Sequence, residues 1–117
     1  MPNIFHYTDK DGWNAIRSQV DWTFLASRPK APWRPTGAYF TDIEPNEENL
    51  RTLADRIRVP RLKLEYVFEF AGADGLLSPN PNEGRDARVL FSPVDYVVVR
   101  ARQRYSGTAQ GWQEKKQ

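Results

Sequence analysis

The chain has no cysteine and one histidine, His6, among its 117 residues. Disulfide frameworks, thiol nucleophiles, thiolate zinc sites and multi-histidine metal centres are therefore excluded, and no metal cofactor is expected. No apolar run approaches the roughly 20 residues that a membrane-spanning helix needs. The start, MPNIFHYTDK, lacks the basic, apolar and small-residue order of a signal peptide. A soluble, unprocessed chain with no membrane contact is the expectation. Glycine is sparse, at 7 residues, and neither G-x-G-x-x-G nor a Walker-type loop occurs, so a Rossmann or nucleotide triphosphatase reading fails. Charge is close to balanced at +2, with 17 basic and 15 acidic side chains. Residues 1–50 hold 5 Lys/Arg against 7 Asp/Glu, so the rest of the chain leans basic, a mild preference for an anionic partner.

What is present is an ordinary globular composition, 39% hydrophobic and 27% charged. A chain of this size buries roughly two-thirds of its unfolded surface, enough for one core and one site. A single domain over residues 1–107 is expected, with 108–117 as a mobile tail that has little to bury except Trp112. Residues 4–8 read as a strand, and Thr8 with Asp11 three residues on resembles a capping box for a helix of about three turns whose Trp13 and Ile16 face inward. Residues 20–36, with Pro29, Pro32 and Pro35 among Trp22, Phe24 and Trp33, read as an ordered loop packed on the body. Residues 37–41 read as a second strand. A helix should follow from Pro45 to just before Pro60, with Leu50, Leu53, Ala54 and Ile57 as its apolar stripe. Residues 62–70 alternate as a strand, 71–84 are loop, and 88–91 and 96–102 are further strands around a bend at Ser92-Pro93. The domain is mixed, with strands dominating its second half.

Three segments carry candidate chemistry: FHYTDKDGWNAI, TGAYFTDIEP and LFSPVDYVVV. In order and spacing they resemble the ADP-ribosyltransferase superfamily, in the branch marked by His, Tyr and an acidic residue, and most closely the small bacterial toxin family with a His-Tyr-Asp signature. The match falls on His6, Tyr39 and Asp95. The resemblance implies an α+β fold, ADP-ribosyltransferase-like, in which two short helices pack on two small, mostly antiparallel sheets forming an NAD cleft. It implies a toxin or effector domain that cleaves NAD, its co-substrate, at the nicotinamide bond and transfers ADP-ribose to a macromolecular acceptor, protein or nucleic acid. Asp95 would bond the 2′-hydroxyl of the nicotinamide ribose and offset oxocarbenium charge, the kind of charge carboxylates stabilise in glycoside cleavage. Tyr39 would stack on the nicotinamide, His6 would bond the adenine ribose, the Tyr7 backbone would hold the carboxamide, and Thr8 would add a ribose contact.

Departures from the wider superfamily are also legible. Tyr7 stands where the polymerases carry glycine, and Leu50 lies near the place of a second stacking tyrosine, leaving Phe40 or Trp33 to close the far side of the ring. Pro93, two residues before Asp95, removes the Glu-x-Glu pair of arginine-modifying transferases. Asp86 and Glu65 are rival acids at strand ends. Arg51, Arg56, Arg58 and Arg61 near the second helix, and Arg100, Arg102 and Arg104 alternating along the last strand, read first as solvated faces. A toxin of this kind implies an immunity protein or antitoxin, and a location in the cytoplasm or delivery into a target cell. Two other readings use the same residues: an NAD glycohydrolase with water as acceptor, and a catalytically inactive module that binds RNA or an acidic protein.

Overall fold

Strand β1 (Asn3–Thr8) alternates Ile4, His6 and Thr8 against Phe5 and Tyr7, so it is apolar on both faces and suits the middle of a sheet. That is where it lies in the computed structural model, which describes residues 3–26, 37–46, 52, 61–72, 78–79 and 89–116. After β1 come helix α1 (Lys10–Arg17) and the short strands β2 (Trp22–Phe24) and β3 (Ala38–Thr41), followed by a 3-10 turn over Arg61–Leu64. Strands β4 (Tyr66–Ala71), β5 (Ser78–Pro79), β6 (Val89–Ser92), β7 (Tyr96–Val98) and β8 (Gln103–Thr108) complete the strand set, and helix α2 (Ala109–Lys116) ends the described chain. Six strands form one antiparallel sheet in the order β5-β6-β3-β1-β4-β8, and β2 and β7 form a separate two-stranded ribbon. The described architecture is α+β, with two helices and two antiparallel sheets. Among the described residues no helix is long and apolar enough to cross a membrane.

The main core lies between the large sheet and the ribbon. Ile4, Phe40, Phe68 and Phe70 from the sheet meet Trp22, Phe24, Tyr96 and Val98 from the ribbon. Phe24, 1% exposed, is the seam: its ring stands edge-on to Phe40 at 5.2 Å and to Phe68 at 5.6 Å. A smaller cluster of Phe5, Val67 and Trp112 fills the opposite face of the sheet, under α2.

Several expectations change. The helix cap is Asp9 rather than Thr8: Asp9 Oδ1 accepts from the Gly12 amide at 2.9 Å, and α1 has eight residues where about three turns were expected. Trp13 and Ile16 do pack inward against the core. Residues 22–24, expected within a loop, form β2, because Trp22 and Phe24 supply one inward face and β7 supplies the hydrogen-bonding partner. The last strand is interrupted. Pairing in β7 stops at Val98, Arg100–Arg102 make a 3-10 turn, and β8 begins at Gln103, so the three arginines do not share one strand face. Arg102 turns inward, donating to the Ala71 carbonyl and the Tyr96 hydroxyl. The expected tail is α2, an integral part of the domain, because Trp112 is buried at 5% exposure and its Nε1 donates to Glu69 at 3.0 Å. The expected helix after Pro45, its apolar stripe, Trp33, Asp86 and the Arg51, Arg56 and Arg58 group lie outside the described residues.

Candidate functional site

Residues of β1 and β3 are neighbours in the large sheet, with Phe5 opposite Thr41. That pairing fixes which side chains share a face, since alternate residues point to opposite sides. His6 and Phe40 face the ribbon, while Tyr7 and Tyr39 face away from it. The structure therefore brings His6 and Phe40 into ring contact, 5.5 Å between centroids, and puts the Tyr39 ring on the other face.

His6 is packed against Phe24 at 4.7 Å, with Phe40 and Phe68 completing its surroundings. Its Nδ1 lies 2.8 Å from the Tyr39 carbonyl oxygen; a carbonyl only accepts, so Nδ1 carries the proton and donates. Burial lowers the imidazole pKa to about 4, against the smaller opposing pull of that carbonyl. The ring is thus neutral at physiological pH, with Nε2 an acceptor that has no hydrogen-bond partner among the described residues.

Tyr7 donates its hydroxyl to the Ile43 carbonyl at 2.7 Å, and burial, aided by the Glu44 charge, pushes its phenol well above the ordinary tyrosine range. It anchors the chain that leaves β3. Thr8 is buried, and its hydroxyl sits so close to the first turn of α1 that a Cβ at Gly12 would lie 2.0 Å from it. Tyr39 lies nearly parallel to Phe91 of β6, at 5.9 Å. Phe40, 3% exposed and ringed by Phe24, Phe70 and Tyr96, is a core residue.

Asp95 is exposed at the entry to β7, after a bend in which Ser92 Oγ donates to the Val94 carbonyl at 2.7 Å. Its Oδ1 accepts from the Ala26 amide at 2.7 Å, which ties the exit of β2 to the entry of β7, and Oδ2 has no hydrogen-bond partner among the described residues. Its neighbour Tyr96 reaches the core and meets Phe40 at 5.2 Å. Among the described residues no three His, Asp or Glu side chains group to hold a metal ion.

The sequence reading missed two groups. One is Glu69, 3% exposed at the centre of β4, which accepts from Asn3 Nδ2 at 2.7 Å and from Trp112 Nε1 at 3.0 Å. An acid flanked by Phe68 and Phe70 was the available signal, because a buried carboxylate requires donors. The other is the outward face of the ribbon, where aliphatic side chains remain in solvent. Compared with protein-family models, with curated proteins and with solved structures, the chain gives no match in any of the three.

Proposed function

We propose that the chain is an ADP-ribosyltransferase-like domain that cleaves NAD at the nicotinamide N-glycosidic bond and passes ADP-ribose to a macromolecular acceptor. The observation that carries this reading is the juxtaposition of three segments remote in sequence. FHYT and GAYF lie on the adjacent strands β1 and β3, joined by the His6 to Tyr39 carbonyl hydrogen bond, and VDYVVV reaches the same core through Tyr96 on Phe40. Asp95 carries the chemistry: a carboxylate oxygen open to solvent accepts the ribose 2′-hydroxyl and offsets the positive charge that grows on the sugar as nicotinamide leaves. His6 acts on the arrangement through the Tyr39 carbonyl, holding β1 against β3. The Tyr39 and His6 rings face opposite sides of the sheet and do not line one surface, so in this reading the stacking and ribose roles do not fall on them together. An acceptor, and an immunity protein or antitoxin that spares the producing cell, complete the proposal.

Nicotinamide release from NAD by the purified chain tests it, wild type beside Asp95→Asn, with and without a cell lysate as acceptor. Release lowered about a hundredfold in the variant, as for loss of an electrostatic group at the transition state, supports the assignment. Dependence on lysate selects transfer over hydrolysis. Absence of release in every condition, together with no NAD-induced rise in Tm, overturns it in favour of a non-catalytic binding module.

A further inference from the structure

The five exposed large hydrophobic side chains among the described residues all lie on or beside one element, the β2/β7 ribbon. Val20 is 72% exposed, Leu25 and Val94 66%, Val97 46% and Val99 47%. The ribbon is paired with Thr23 opposite Val97, while Trp22, Phe24, Tyr96 and Val98 point into the core. The pairing runs only from Trp22 with Val98 to Phe24 with Tyr96; Asp21 and Leu25 flank β2, Asp95 and Val99 flank β7, and all four are exposed. The paired centre carries the half-buried Thr23 and the exposed Val97, and the ends of the ribbon carry the exposed aliphatic side chains of Leu25 and Val99 and the exposed carboxylates of Asp21 and Asp95.

Five exposed aliphatic side chains gathered on one ribbon of so small a chain mark a contact surface, and the flanking charges select what covers it. A phosphate backbone or an anionic lipid surface is repelled by Asp21 and Asp95. A second copy brings the same two carboxylates and no cation among residues 21, 23, 25, 95, 97 and 99, so an isologous contact leaves both acids uncompensated. The complement is an aliphatic segment with a cation at either end. We propose that the outward face of the β2/β7 ribbon docks a partner protein through an extended aliphatic segment flanked by lysine or arginine. The occupant covers Asp95, so docking controls access to that carboxylate. The inference stands whether or not NAD is the substrate.

The test is titration of the isotopically labelled chain with a short synthetic peptide of alternating valine and threonine carrying lysine at each end, followed by amide NMR shifts. The expected result is a set of shifts confined to residues 20–26 and 94–99, weakened by added salt, with affinity lowered roughly tenfold or more by Val97→Lys. Thr23→Lys, also outward, gives the same loss where Val97→Lys fails to fold, as judged by Tm. The proposal is overturned by absence of binding, by equal binding of a peptide ended in glutamate, or by a single-stranded RNA that shifts the same amides. Concentration-dependent dimerisation of the wild type that Val97→Lys abolishes also overturns it, making a second copy the occupant. Nicotinamide release is read separately, so failure of docking and failure of NAD cleavage remain distinct.

Discussion

Protonating His6 places a positive charge among the rings of Phe24, Phe40 and Phe68, and the pKa near 4 expresses that penalty. The unfolded chain takes up the proton at about pH 6.5, so stability is full above that value and falls as pH drops from 6.5 towards 4. Between pH 7 and pH 5 the loss is about 2 kcal/mol. Denaturant unfolding at the two pH values should show it, and His6→Gln, which keeps a donor for the Tyr39 carbonyl, should remove most of the slope while costing some stability at pH 7. Equal slopes in the two proteins would disprove the account. Asp9 titrates lower: the Lys63 ammonium first, then the Gly12 amide, hold its carboxyl below the usual carboxylate range, so its small contribution is lost only in stronger acid. His6 was legible in the sequence as the sole histidine. Its enclosure was not, because Phe24, Phe40 and Phe68 arrive from three other strands.

At the scale of elements, α1 owes its start to Asp9, and Asp9→Ala should cost about 1 kcal/mol. Gly12 gives a sharper check. In an ordinary helix, glycine to alanine stabilises by nearly 1 kcal/mol, but here the added Cβ meets the buried Thr8 hydroxyl. Gly12→Ala should therefore lower Tm, and Thr8→Ala in the same chain should restore part of it. Helix α2 is held by one large side chain, so Trp112→Ala should cost about 3–5 kcal/mol and uncover Glu69. Strands β1, β3 and β6 were legible from alternating or β-branched runs such as NIFHYT and AYFT, whereas of the strand expected over 62–70 only the part from Tyr66 pairs, its start forming the 3-10 turn Arg61–Leu64. The pattern could not find β2, since the prolines that follow Phe24 mask three strand residues that only β7 pairs. Nor could it separate β7 from β8, because Tyr96 through Arg102 reads as one extended run until Arg102 turns inward to Tyr96 and the Ala71 carbonyl.

For the whole molecule, the ribbon and the large sheet share one aromatic core rather than two, and Phe24 joins them. Phe24→Ala should cost about 3–5 kcal/mol, a large part of the roughly 5–15 kcal/mol that holds a domain folded. Wild-type unfolding followed by far-UV and near-UV circular dichroism should give one coincident transition; separate melting of the ribbon would show that the seam does not couple the sheets. A mixed domain with strands dominating its second half was legible from the run of element types. The meeting of residues 3, 69 and 112 was not, because nothing local in any of the three segments specifies the other two. Since Asn3 and Trp112 both donate to Glu69, the described chain enters and leaves the fold within reach of one side chain, on the face of the sheet away from the ribbon. One carboxylate therefore latches the first described strand to the last described helix, and losing it would loosen both together.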